Sequence, residues 1–285
     1  MSEKKTKYDG TFVSRFFDEY GLREWDRMTA DPVSQVSLHI HTHYLKEYIP
    51  EGSKVLEVGA GAGRFTQVLA EIGAQVVVAD ISPGQLALNK QRAEEYGFGS
   101  AVLSWEELDI CDLARFENAS FDRVVVYGGP FSYVMEQRDL ALRECLRVLR
   151  PGGILLLSVM GVFGTLHRYL PGVLKGYDVA LNREIVETGD LGPANVPDQE
   201  QRMHMFRAEE LETWLKQTGL QILAVSASNG LSTGWEQQLA EIKQDQEKWA
   251  YLLELELEAC AQSGYLDAGT HILAVAKKRA QGLLG

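Results

Sequence analysis

The run Glu57-Val58-Gly59-Ala60-Gly61-Ala62-Gly63 constrains this chain more than any other feature. It follows an apolar, β-branched stretch, Lys54 to Val58, and precedes a helical pattern from Arg64 to Ile72. Glycines at alternate positions let the backbone turn without side-chain obstruction. The first turn of the helix then presents unpaired N-H groups, which suit a carboxylate or a phosphate. A strand, a glycine turn and a helix in this order open a parallel α/β unit.

The rest of the chain supplies partners for that strand. Gln75 to Ala79 is a second strand, and Pro83 opens a helix reaching about Tyr96. Ala101 to Ser104 and the valine-rich Phe121 to Tyr127 give a third and a fourth strand. Ser132 to Leu149 is helical in pattern, and Pro151, Gly152 and Gly153 turn the chain into the apolar strand Ile154 to Val159. Ala208 to Gln217 is a helix, and Ile222 to Ala227 and His271 to Ala276 are late strands around a helical stretch from Trp235 to Gln262. The expected fold is α/β: a Rossmann-like, seven-stranded, mostly parallel sheet with flanking helices and an antiparallel late strand. Small cofactors bind such sheets at the carboxyl ends of the strands.

Three regions are expected along the chain. Residues 1–50 form a helical cap, because Phe12 to Tyr48 has helical periodicity interrupted by Pro32. Residues 51–160 form a cofactor-binding core. Residues 161–285 complete the fold, with Gly161 to Gln201 a substrate-facing insertion rich in dispersed glycine and proline. The late helix mixes Leu252, Leu253, Leu255 and Leu257 with Glu254, Glu256 and Glu258, a pattern that covers a core or forms a dimer contact. Monomer and dimer both stay open.

Composition narrows the partners. With 40 Asp and Glu against 28 Lys and Arg, the net charge of -12 repels a phosphate backbone, so a nucleic-acid acceptor is disfavoured. Cys111, Cys145 and Cys260 are scattered and lack CxxC spacing, which fits a reducing cytoplasm. No apolar run approaches bilayer-spanning length, and the charged start lacks the apolar core of a secretory signal, so membrane insertion and export are not expected. His39, His41 and His43 do not converge on one helical face, so no metal site is expected there.

Glycine turns also serve NAD and FAD, whose pyrophosphate needs close backbone approach. Here Arg64 stands where the stricter GxGxxG pattern requires its last glycine. Asp80, ending the second strand, is spaced to accept hydrogen bonds from two ribose hydroxyls. By itself it reads as a solvated strand-end carboxylate sooner than as a ligand.

Taken together, the EVGAGAG turn, Asp80, LDICDL, FDRVVVY and RVLRPGGILLLSV resemble the class I S-adenosylmethionine-dependent methyltransferases, especially the small-molecule enzymes of the type 11 and type 12 group. The resemblance is strong from about Val55 to Ser158. It implies that Gly59, Ala60 and Gly61 contact the methionine part of S-adenosylmethionine, that Glu57 organises its amino group and that Asp80 binds the ribose. It also implies Ile81 and Ile110 against the adenine, Asp109 accepting from the adenine amino group, and Tyr127 near the methyl donor or the acceptor entrance. Asp112 reads either as a neighbour of that site or as a cap of the following turn. Arg147 and Arg150 read as helix-end solvation rather than substrate contacts.

The product implied is S-adenosylhomocysteine, and the acceptor a small metabolite or natural product, with a protein acceptor also open. Acceptor-binding candidates are Tyr20, Trp25 and Arg27 in the cap, His167, Arg168 and Tyr169 after the fifth strand, and His204 and Arg207 before a late helix, beside Phe206. Each also has a plain structural role available, in packing, surface ion pairing or solvation. No general base is assigned. Two other classes compete: an NAD- or FAD-dependent oxidoreductase, and a noncatalytic binding protein with a methyltransferase-like fold.

Overall fold

A computed structural model describes residues 7–193, 195–196 and 202–280. Three helices come first: α1 (Gly10–Tyr20), α2 (Arg23–Arg27) and α3 (Pro32–Tyr48). Pro32 does not interrupt a helix, as its place in the pattern suggested, but starts one. Asp31 caps α3 through its side chain, which accepts from the Ser34 N-H, and Pro32 occupies the first turn, where its missing N-H costs nothing.

The core alternates strand and helix: β1 (Lys54–Val58), α4 (Arg64–Glu71), β2 (Gln75–Asp80), α5 (Pro83–Glu95), β3 (Val102–Glu107) and β4 (Phe121–Val126). Next come α6 (Pro130–Tyr133), α7 (Arg138–Val148) and β5 (Leu149–Met160). The single helix expected over Ser132 to Leu149 is therefore broken, at Met135, whose φ of 48° leaves the helical region.

Beyond β5 lie α8 (Val162–Gly176), α9 (Val179–Thr188), the short antiparallel pair β6 (Asp190–Leu191) and β7 (Met203–His204), and α10 (Ala208–Gln217). The insertion is thus largely helical, and its expected end at Gln201 lies outside the described residues. β8 (Gln221–Ala227), α11 (Glu236–Ile242), α12 (Gln246–Cys260) and β9 (His271–Lys277) complete the chain. Asp245 caps α12, dividing in two the helix expected from Trp235 to Gln262.

The main sheet has seven strands in the order β3-β2-β1-β4-β5-β9-β8. Only β9 runs antiparallel to its neighbours. Strand residues alternate between two buried faces: Leu56, Val58, Val124 and Val126 pack on one side, and Val55, Val76, Val78 and Val125 on the other. Burial of a Val or Leu side chain contributes about 1.5–3 kcal/mol, so the sheet's inner positions anchor the fold. Helices α7 and α10 cover the first face, and α3 and α4 the second.

Strand order reverses between β1 and β4. A crevice opens at such a point because the connections leave β1 and β4 toward opposite faces. Among the described residues no helix is long and apolar enough to cross a membrane.

Candidate active site

Two cavities meet at that crevice. The first, of about 80 Å³, is lined by Gly59, Ala60 and Gly61 after β1, by Asp80 and Ile81 after β2, by Asp109 and Ile110 after β3, and by Tyr127 after β4. These positions were singled out from the sequence, and the fold brings them to one place.

The turn has the shape its glycines allow. Gly59 has a φ of 71°, and a Cβ there would lie 2.4 Å from Pro130 Cγ at the start of α6. Only glycine permits β1 and β4 to approach so closely. Gly61 N-H donates to Asp80 Oδ2 at 2.8 Å, and Ser82 N-H to Oδ1 at 2.8 Å. An ionised carboxylate has about four acceptor positions, so Asp80 keeps capacity for further donors. Burial pushes its carboxyl up to about 6 against those hydrogen bonds.

Asp109 is held similarly: Oδ1 accepts from Cys111 N-H at 2.8 Å and Oδ2 from the Tyr8 hydroxyl at 2.6 Å. Asp112 is not on the cavity wall and accepts from Ala114 N-H at 3.1 Å, the turn-capping role. Tyr127 packs edge-on to His41 and Phe65, with its hydroxyl buried and unpartnered. A buried hydroxyl without a partner costs about 1–3 kcal/mol.

Glu57 departs from expectation. It is buried and absent from the cavity wall, and its Oε2 accepts from the Thr66 hydroxyl at 2.7 Å beneath the turn. Burial pushes its carboxyl up to about 8. It therefore braces β1 against α4 rather than reaching a ligand directly.

The N-terminal segment roofs this cavity as a strap. Tyr8 is tied to Asp109, the Asp18 carboxylate accepts from the Ser82 hydroxyl and Gly84 N-H, and the Gln85 amide donates to the Phe17 and Gly21 carbonyls. The second cavity, of about 450 Å³, lies between the strap, α3 and the insertion. Phe17, Glu24, Arg27, Met28, Gly128 and Tyr133 line both cavities and so form the passage between them.

Of the acceptor candidates, Tyr20, Arg27, Arg168 and Tyr169 line the second cavity. The others stand elsewhere. Trp25 is buried beneath the Arg64 guanidinium, 3.8 Å from its ring, and is a packing residue. His167 is exposed on α8. Arg207 donates to the Val186 carbonyl and lies over Phe163, tying α9 to the start of α10. His204 is clamped between Asp190 Oδ1 at 2.7 Å and Glu210 Oε1 at 2.8 Å.

Sequence reasoning missed Glu24 and His271, and weighed His41 only in setting aside a metal site. Glu24 accepts both Arg27 Nη2 at 2.7 Å and Nε at 3.0 Å, a bidentate pair one helical turn apart. The spacing was visible, but its position over Gly61 was not. His41 is buried on α3, its Nδ1-H donating to the Ser37 carbonyl at 2.7 Å, and burial pushes its imidazole down to about 4. His271 opens β9, paired with Met160 at the end of β5, and lines the second cavity. An antiparallel strand brings its first residue to the edge where parallel strands bring their last.

Residues 56–157 match a family model described as a methyltransferase domain. The chain is 31% identical over 186 residues to methyltransferase GfsG of Streptomyces halstedii, a match spanning 64% of this chain and 65% of that protein, just under two thirds of its length. It is 27% identical over 238 residues, 82% of this chain and 83% of the relative, to a tRNA 5-carboxymethoxyuridine methyltransferase of Escherichia coli strain K12. In fold it resembles a [4+2]-cyclase, SpnF, with a TM-score of 0.61, 18% identity, and coverage of 97% of this chain and 99% of that one.

Proposed function

We propose that this chain, whose residues 56–157 match a methyltransferase domain and whose sheet order suits one, uses S-adenosylmethionine and transfers its methyl group to a small-molecule acceptor held in the second cavity, leaving S-adenosylhomocysteine. One observation carries this reading: a cavity at the sheet's reversal point gathers the glycine turn, Asp80, Asp109 and Tyr127, and opens into a larger cavity.

The residues suit this cofactor. Asp80 offers spare carboxylate positions to ribose hydroxyls, and Asp109 does the same for an amino group on adenine. Ile81 and Ile110 supply apolar surface for the ring. Glu24, over Gly61, and Arg27, beside Gly128, carry opposite charges that match the ammonium and carboxylate of an amino-acid end. Arg27, expected on the acceptor side, thus acquires a place on the cofactor side.

When bound, S-adenosylmethionine supplies an electrophilic methyl carbon on a positively charged sulfur. The chain's part is to hold donor and acceptor in line and to keep water out, which is where most of such a rate enhancement arises. Phe17, Met28 and Tyr133 give the passage an apolar wall suited to excluding water.

Calorimetry with S-adenosylmethionine, S-adenosylhomocysteine and NAD tests the cofactor, and selective NAD binding would overturn the assignment in favour of an oxidoreductase. Transfer of an isotopically labelled methyl group, followed by mass spectrometry of size-separated cell extract, tests the acceptor. A tRNA acceptor is the second reading, favoured by the 83% coverage of the relative described as a tRNA methyltransferase. The net charge of -12 weighs against it, and label in a tRNA fraction would establish it.

A further inference from the structure

The strap serves both cavities at once. Tyr8, Val13 and Phe17 face the first cavity, whereas Phe16, Phe17 and Tyr20 form part of the wall of the second. A ligand that adds contacts to the strap in its closed position stabilises that position. Whatever fills the first cavity therefore also favours the second in its complete shape, and the reverse holds to the same extent.

On the donor side the strap is fastened by Tyr8, Asp18 and Gln85. Toward the insertion, Arg202 holds its first helical turn. The Arg202 guanidinium lies over the Phe12 ring, 4.2 Å from its centroid, and stands 3.5 Å from Asp9 Oδ2. Asp9 caps α1 through its other oxygen, which accepts from Phe12 N-H at 3.0 Å. Arg202 thus grips the turn that the cap organises. Its side chain is 25% exposed and that of Asp9 46%, so the ion pair alone contributes little and the stacked ring supplies much of the grip.

The other end of the grip is well anchored. Arg202 leads directly into β7, where Met203 lines the second cavity and packs with Val162 and Ile185. β7 is held in turn by its pairing with β6 and by the carboxylates on His204. Arg202 itself lines neither cavity, and among the described residues none from α9, β6 or β7 lines the first. Any effect of a donor on β6 and β7 must therefore be transmitted to them.

Resting on the cofactor reading of the first cavity, we propose that Arg202 is a positioning residue for the acceptor: it joins the strap to β7, so that a bound donor holds the wall of the second cavity in place. It touches neither ligand and acts through α1 and Met203.

Hydrogen exchange read by mass spectrometry, with S-adenosylhomocysteine as the probe, tests this without an identified acceptor. In the wild type the probe should slow exchange of the strap and, by about tenfold, of the β6 and β7 amides, an ordinary strength for coupled sites. In Arg202→Leu the strap should stay protected, while the effect on β6 and β7 falls to about twofold or less. Arg202→Lys should restore part of it, because the ammonium keeps the charge but not the planar stacking. Without the probe, Arg202→Leu should unfold within about 2 °C of the wild type. The double variant Asp9→Asn, Phe12→Leu keeps a helix cap while removing the grip from the strap side, and should lose the same transmitted protection.

Undiminished protection of β6 and β7 in Arg202→Leu would overturn the assignment and leave the packing of Tyr133 on Phe17 as the route. Equal loosening of β6 and β7 with and without the probe would overturn it in favour of a merely structural tie. Wild-type binding of the probe with no protection beyond the strap would overturn the coupling while leaving the cofactor reading standing. Failure of the probe to bind by calorimetry would sink the cofactor reading itself. If Arg202→Leu fails to fold by circular dichroism, the wild type and the double variant still decide.

Discussion

His204 offers the sharpest test of how the acceptor cavity is kept closed. Its two ring nitrogens meet carboxylates from different elements: Asp190 on β6 at 2.7 Å and Glu210 on α10 at 2.8 Å, with Arg138 also touching Glu210 at 3.2 Å. A neutral imidazole has one N-H and cannot donate to both. The protonated ring can. Burial alone would lower its pKa, but the two hydrogen bonds prevail and raise it. Removing the ring in His204→Ala deletes two charge-assisted bonds, each worth about 1.5–3 kcal/mol when buried. Both carboxylates are 32% exposed and regain water in its place, so a net loss of about 2 kcal/mol is expected.

That corresponds to a fall of about 4–8 °C in Tm if the whole domain feels it. It corresponds to about a thirtyfold loss of amide-exchange protection if only the insertion opens. The sign with pH follows from the raised pKa. The contribution is complete below the unfolded value near 6.5 and is lost as pH climbs through the folded value. Differential scanning fluorimetry and hydrogen exchange of wild type and variant across pH 6 to 9 measure this directly. Their difference should shrink toward alkaline pH, and a difference constant with pH would refute the charged clamp.

Three further outcomes are expected. Asp80→Asn, which keeps an acceptor for one of the two backbone N-H groups where alanine keeps none, should weaken S-adenosylmethionine binding about 10- to 100-fold by calorimetry; wild-type affinity should itself fall as pH drops through about 6, where the carboxyl takes up a proton. Gly59→Ala should cost about 1–3 kcal/mol in urea unfolding, because its φ is 71° and the new Cβ would meet Pro130 Cγ at 2.4 Å. Glu256→Ala should cost about 3 kcal/mol in the same assay and Glu256→Gln less, since the buried carboxylate accepts from the N-H groups of Gly230, Leu231 and Ser232.

Glu256 also shows why parts of the molecule were hard to read. Glu254, Glu256 and Glu258 look alike in the sequence, yet Glu256 is fully buried. A helical wheel held a signal, since Glu256 lies on the stripe of Leu252, Leu253 and Cys260, but its partners are backbone groups some 25 residues away. The parallel core was legible because β-branched runs, glycine turns and helix caps are local devices. The cofactor side was legible as a set of positions for the same reason: each follows a strand end. The acceptor side was not. His204 appeared as a free ligand because Asp190 and Glu210 come from elements whose meeting no local pattern announces. His271 appeared as an ordinary strand residue because its place depends on the reversed direction of β9.

The strap over the first cavity has a kinetic consequence. Whatever lies beneath it is fastened in by Tyr8 on Asp109 at one end and by Asp18 and Gln85 at the other. On the proposed function, exchange of spent donor for fresh waits on the strap's release, a gating event distinct from bond making. These few ties would then set the residence time of the product and, with it, the ceiling on turnover. Loosening them would trade tight capture for quick discharge, so Tyr8→Phe should shorten donor residence time without altering the geometry in which methyl and acceptor meet.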